Sequence, residues 1–531
     1  MTLLPSTEDT RDATAADPTR PAAAPDGEGT TLSIGRQVAA VVVLAAIATV
    51  SVLFLPPIVA GGVMIGVAIL YLGRKAIFSF TGGLVILVAI IMFIPVRRWS
   101  LPIPLDFALE PYRVILVLLV LVILGALLVD KKRTWQPVAF GWPIGIFFAS
   151  LVISIPMNGT ELVQQGLASD AVGAVVNYAI LLSTFYVVRQ LLTKETIVMG
   201  LVTGLVWCGT LVAFFAIVER ATRVNIFLRL DSFLPLIALR EEGEAFRAGG
   251  YRSYGSAQHP IALSVMLCML IPLAIYLAKY GKWPRNELSR RILYGIATVF
   301  LLGGVLSAVS RTAVIVLAVM FILTLILRPW LGLLLLAFGL PALVIGFLAV
   351  PKVFDTLLLS FLDVDGLIAS QQTSPGFRGA GRLADLGPSL ALYVMRPFFG
   401  TGVGSRIVVG DDQNAYILDN QILGSMLETG AVGVIGVAAL TLIPLIMILR
   451  WTVTVAKHDP RFGFLGFAIV VSGAGYTAAL FFYDAFGFYQ TFFVLCILFA
   501  IGAWLITSSP PALRARAERE AGTLAVERVA A

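Results

Sequence analysis

The chain has 531 residues, of which 59% are hydrophobic and only 13% charged, against about 25% charged in a soluble domain. Such a chain has too little polar surface to face water on all sides, so the composition excludes an ordinary soluble protein and makes lipid the main solvent. The formal net charge of +7 is not a nucleic-acid signal, because in a membrane protein it mostly records Lys and Arg on the inner face.

Residues 1–33 are rich in Ala, Pro, Asp, Thr and Gly, which predicts a disordered cytoplasmic leader. No cleavable signal peptide is visible. Residues 34–506 read as one membrane domain and 507–531 as a cytoplasmic tail. Apolar runs of about 17–25 residues match a hydrocarbon core of about 30 Å. They lack two-residue alternation, so they are helices, whose backbone groups are satisfied within the segment. The runs place helices at about 35–55, 57–73, 77–95, 112–129, 137–155, 171–190, 196–218, 260–279, 290–309, 312–328, 330–350, 422–449, 463–483 and 488–506. The predicted fold class is all-α, a polytopic transmembrane bundle of about 12–14 spans. Cys208, Cys268 and Cys496 each fall inside an apolar run and read as small core residues, not disulfides or metal ligands.

With the N-terminus inside, the inner loops carry Arg74, Lys75, Lys131, Lys132, Arg133, Arg189, Lys194, Lys279, Lys282, Arg285, Arg290, Arg291, Arg328, Arg450, Lys457 and Arg461. Short outer loops carry Glu161, Asp170 and Asp484. This asymmetry predicts an N-in, C-in protein of the cytoplasmic membrane. Two long segments, at about 219–259 and 351–419, then lie outside. The second contains an apolar stretch, Leu386 to Phe399, suited to a helix lying on the membrane.

Four features of the outer side carry chemistry. First, the long loops are rich in Arg: Arg220, Arg223, Arg229, Arg240, Arg247 and Arg252 in one, and Arg378, Arg382, Arg396 and Arg406 in the other. Guanidinium binds phosphate as a permanent, multi-donor fork. Second, Ser310-Arg311-Thr312 puts an arginine at the membrane edge, where charge is costly. Third, the run from Tyr251 through Arg252 to His259-Pro260 leads into a helix, with Pro260 suited to the first turn. Fourth, Arg396-Pro397-Phe398-Phe399-Gly400-Thr401-Gly402-Val403-Gly404 is followed by Asp419-Asn420-Gln421 and Glu428-Thr429-Gly430-Ala431-Val432-Gly433. The glycine run is expected to expose backbone N–H groups to an anion; it is not a dinucleotide fingerprint.

In order and spacing, these motifs over about residues 245–450 resemble the O-antigen ligase and O-antigen polymerase superfamily of bacterial membrane glycosyltransferases. The resemblance implies transfer of a glycan from undecaprenyl diphosphate to an acceptor hydroxyl, another glycan or a different acceptor, outside the cytoplasmic membrane. It implies no cofactor and no metal, with arginines stabilising the diphosphate leaving group. The corresponding site residues are Arg252, Arg311 and Asp419 as catalytic groups, with Arg247, His259, Arg382, Arg406 and Asn420 binding substrate. Ligases of this kind carry His where this chain has Asp419; a carboxylate can also orient or deprotonate a hydroxyl, and the change favours polymerase over ligase. An Asp before a helix is also a common N-cap. The rival class is a transporter or flippase of a lipid-linked oligosaccharide, which would place charge near the bilayer midplane.

Overall fold

The computed structural model describes residues 79–103, 107–240, 246–247, 250–359, 365, 369, 381–408, 413–415, 418–456 and 459–508. The leader, the first two predicted spans and the tail lie outside the described residues. What is described is an all-α bundle. Nine helices are long and apolar enough to cross a membrane: Pro111–Val129, Ala168–Leu191, Glu195–Thr222, Pro260–Tyr280, Glu287–Ser307, Pro329–Ala349, Gln421–Thr454, Pro460–Ala479 and Tyr489–Ser508. Three shorter apolar helices join them, Phe80–Phe93, Gly141–Met157 and Arg311–Leu327. Together they correspond to the last twelve predicted spans. The protein is a multi-pass membrane protein. The described strands are two-residue pairs in the connections, Trp99–Ser100 with Ile237–Ala238 and Phe246–Arg247 with Gly250–Tyr251.

Local chemistry sets the helix boundaries. Proline opens Pro111–Val129, Pro260–Tyr280, Pro329–Ala349 and Pro460–Ala479, where its missing N–H costs nothing. Side chains of Ser79, His259, Asn286, Asn420 and Asp459 cap the helices that follow them. Pro260–Tyr280, Pro460–Ala479 and Tyr489–Ser508 form the centre, with 89%, 83% and 83% of their apolar windows buried; Pro329–Ala349 sits at the periphery with 6%. Small residues bring neighbours close: a side chain on Gly304 would meet Ala213, and one on Gly436 would meet Phe147 and Ser150. The three cysteines are free and lie within helices of the bundle.

The connections gather at two ends. At one, the described residues of the connections 94–103, 107–110, 223–240, 250–259, 308–310, 350–358, 396–408, 418–420 and 480–488 meet. Trp99 donates to Phe227 O, Arg97 to Gly487 O, Ser253 N–H to Ser307 O, Arg311 to Thr356 O, and Gln421 N–H to Leu480 O. Both long connections therefore share one end, called here the loop end. At the opposite end Gln136 and Gln190 bond reciprocally, and Lys282 and Arg461 both reach Glu195. The apolar stretch of the second long connection is a helix, Gly381–Met395, packed on Gln421–Thr454.

Candidate functional site

The helix Gln421–Thr454 breaks at Gly430, whose backbone (φ 65°, ψ −160°) is non-helical. A break strands carbonyls before it and N–H groups after it, and each such group left unpaired inside the protein would cost about 1–3 kcal/mol. The loop after Gly381–Met395 fills all four places. Thr401 N–H donates to Leu427 O (2.9 Å) and Gly402 N–H to Glu428 O (2.8 Å); Ala431 N–H donates to Pro397 O (2.8 Å) and Val432 N–H to Phe398 O (3.2 Å). Gly400 and Gly430 have positive φ, and a side chain on either would overlap backbone of the other segment. The two glycine motifs are thus halves of one joint.

This corrects the expectation that the glycine run offers its N–H groups to an anion. Gly400 N–H goes to Arg396 O, Val403 N–H to Ser154 Oγ, and Gly404 N–H lies against the Glu428 carboxylate. The run is spent on the break. Arg396 is equally committed, paired with Glu161 and donating to Asn158 Oδ1 at 3.1 Å.

The joint sets Glu428, Arg406 and Asp419 around the Asp484 loop. Gln421 N–H donates to Leu480 O (2.8 Å) and Tyr483 O (3.1 Å), and Gln421 Oε1 accepts from Phe486 N–H at 2.8 Å. Asp484 then lies within electrostatic reach of Arg97, Arg406 and Asp419. The residue is exposed at the surface, with protein crowded around its carboxyl. That enclosure pushes its carboxyl above the ordinary value, against the pull of Arg97, Gly487 N–H and Arg406. Arg406 also faces Glu428 and lines a cavity of about 970 Å³ together with Glu161, Asp170, Tyr393, Arg396 and Asn414.

The cap before this helix is Asn420, whose Oδ1 accepts from Ile422 N–H (2.9 Å) and Leu423 N–H (3.1 Å). Capping therefore falls to Asn420 and not to Asp419, the residue singled out in the sequence as a possible cap. The expected substrate-binding oxygen of Asn420 is engaged in that cap.

A second group of polar residues borders the first. Arg97, in left-handed conformation (φ 60°), donates its N–H to Glu110 Oε2 (2.5 Å) and lays its guanidinium over Tyr489 at 5.3 Å. Arg113 lies 3.3 Å from Glu110 Oε1, and Asn177 donates to Tyr489 Oη at 2.6 Å. Glu110 is buried, and burial pushes its carboxyl up against the pull of the Arg97 N–H and Arg113. Arg240 lies within electrostatic reach of Arg97, Tyr489 and Glu110. Sequence reasoning passed over Arg97, Glu110 and Arg113. The available signal was the Arg97-Arg98 pair after an apolar run on the side whose short loops otherwise shed cations.

Arg252 is buried, and its Nε donates to Ala308 O at 3.0 Å, in the turn that opens the Arg311 helix. Ser253 N–H donates to Ser307 O of the same turn. In that turn Val309 is fully buried with φ 44°, a conformation that costs a β-branched residue about 1–3 kcal/mol. The structure thus brings Arg252 to the base of Arg311, which itself reaches Thr356 O at 3.3 Å. The Arg252 segment is held from below by Glu219, which accepts N–H groups of Tyr254 (2.9 Å) and Gly255 (2.8 Å). His259 caps Pro260–Tyr280 through Nδ1 (3.1 Å to Ile261 N) and packs between Tyr254 and Phe488. Through Phe488 and Tyr483 this segment abuts the Asp484 loop. Arg247 lies in the Phe246–Arg247 strand and Arg382 in the first turn of Gly381–Met395; their side chains lie outside the described residues.

Among the described residues, the buried carboxylates and arginines are Glu110, Arg189, Glu219, Arg252 and Asp385. Each sits in a connection, in the last turn of a bundle helix or in the helix of the second long connection, none at mid-span. No protein-family model matches the chain, and no curated protein compared with it matches significantly in sequence.

Proposed function

We propose that the protein is an O-antigen ligase- or polymerase-like glycosyltransferase. It moves a glycan from undecaprenyl diphosphate to an acceptor hydroxyl on the outer face of the cytoplasmic membrane. The observation that carries this reading is the gathering of Arg97, Arg406, Asp419 and Glu428 within electrostatic reach of Asp484 at the loop end. Such a cluster of arginines and carboxylates suits a reaction in which an anionic leaving group departs as a hydroxyl attacks. The acceptor oxygen forms a bond to the anomeric carbon, the bond to the diphosphate oxygen breaks, and the hydroxyl proton passes to a carboxylate. Guanidinium groups stabilise charge growing on the diphosphate. Asp419 is the favoured base, because Asn420 relieves it of capping. Arg252 and Arg311 are the second pair of diphosphate ligands, set at the membrane edge. The aspartate at 419 favours polymerase over ligase.

The absence of buried carboxylates and arginines at mid-span among the described residues supports an enzyme over a transporter. Deleting the gene tests the reading: lipid-linked repeat units should accumulate while long surface glycan disappears. Unchanged surface glycan in the deletion strain would overturn it.

A further inference from the structure

Away from this cluster, the peripheral helix Pro329–Ala349 leaves a groove between itself and the helices Pro260–Tyr280, Glu287–Ser307, Arg311–Leu327 and Pro460–Ala479. The deeper part has a volume of about 410 Å³ and is walled by residues such as Ile271, Leu302, Met320, Leu340 and Phe467. Its hydroxyls are turned inward on their own helices: Thr298 donates to Tyr294 O (2.8 Å) and Thr324 to Met320 O (2.7 Å). The wall is therefore apolar in effect and gives water no partners. From Pro329 to Leu343 the groove runs along 14 residue steps of one helix, about 21 Å. That exceeds the depth of one leaflet, about 15 Å.

A second cavity, of about 660 Å³, adjoins the first and shares Ile275, Leu331 and Phe464 with it. It is lined by Lys279, Arg291, Arg328 and Trp330, at the end opposite the loop end. Arg291 is paired with Glu287 at 2.5 Å. Lys279 and Arg328 have no carboxylate partner among the described residues; Lys279 lies over Tyr280 (5.4 Å) and the Arg328 guanidinium over Phe464 (5.0 Å) and Phe467 (5.2 Å). Two cations without a carboxylate partner among the described residues thus stand over an apolar slot of chain length, with Trp330 exposed beside them.

We propose that this groove is a binding site for one anionic phospholipid of the surrounding bilayer, its phosphate held by Lys279 and Arg328 and its acyl chains lying against Pro329–Ala349. A basic mouth attracts an anionic headgroup, and an apolar slot holds chains of either kind of lipid, so specificity lies in the mouth. The inference is independent of the glycosyltransferase reading, since the site lies at the other end of the bundle and its test needs no turnover.

The full-length protein, solubilised from a membrane of equal parts phosphatidylglycerol and phosphatidylcholine, is analysed by native mass spectrometry for retained lipid. Phosphatidylglycerol should be retained over phosphatidylcholine by about tenfold or more, the scale of two surface cations. The variant K279Q/R328Q should lose that preference, and K131Q/K132Q, which removes two cations elsewhere at the same end, should keep it. If R328Q prevents folding, K279Q alone should lower the preference severalfold. Gly339 lines the slot, and a side chain there meets nothing nearby, so G339W should block it and lower retention with the charge unchanged. Equal retention of the two lipids by the wild type, or equal loss in K131Q/K132Q, would overturn the proposal.

Discussion

The two ends of the bundle use the same residue types to opposite effect. Around Glu195, charges and polar groups close on one another: Lys282 (3.2 Å) and Arg461 (2.7 Å) hold that carboxylate, and the buried Arg189 donates to Leu192 O and Thr507. About the Asp484 loop, carboxylates and arginines gather within electrostatic reach of one another, and the backbone takes positive φ beside them at Arg97 and Gly430. Paired charges at a surface add little, about 0–1 kcal/mol. Charges kept apart where protein crowds them are costly to hold and strong in their effect on a bound anion. The comparison teaches that arginine content says little, and that what each guanidinium is already bound to says much.

If the comparison holds, substitutions at the two ends should separate by size. The largest effect should come from G430V, which puts a β-branched side chain at positive φ and into the Phe398–Phe399 backbone. It should cost about 3 kcal/mol or more, seen as loss of folded yield and a lower Tm in detergent. Next, D419N and R406Q should each reduce glycan transfer by about 10²-fold with Tm unchanged. A well-folded D419N with normal transfer would remove the aspartate as base. N420A, one residue on, should do the reverse: about 1 kcal/mol less stable for loss of the cap, with transfer per folded molecule nearly intact. E195Q should shift stability by less than about 1 kcal/mol and leave transfer alone; a large loss of transfer would break the contrast between the ends. The smallest effect concerns pH. The Asp484 carboxyl is held above its ordinary 3.8, so folding takes up a proton between that value and the raised one. Stability is greatest below this interval and falls as pH rises through the raised value. In a Tm-against-pH series, D484N should remove that decline.

The spans were legible because lipid imposes a single local rule, an uninterrupted apolar run of fixed length. That rule located Pro260–Tyr280 and Arg311–Leu327 to within a residue or two. The site was legible in part. The glycine motifs were visible as motifs, but their purpose depended on a helix break that no local pattern announces: residues 422–449 read as one apolar helix with glycines in it. Asp484 was noticed only as a marker of sidedness, since its contact with Arg97 and Arg406 joins positions far apart in the chain. Asn420 and His259 were assigned to substrate from their place in a motif, whereas both cap the helices they precede, a role that spacing alone leaves open.

The joint at Gly430 has a topological consequence. Its four backbone bonds tie residues 397–402 to residues 427–432, so the chain between Gly404 and Asn420 is a loop closed at its base. Whatever happens to that excursion is decoupled from the integrity of the bundle. As far as the bundle's integrity goes, its length and its sequence away from Arg406 and Asp419 are free to drift, and a nick within it would leave both fragments clasped together. The part of the loop end best able to change its clientele is therefore also the part that the fold can most readily do without.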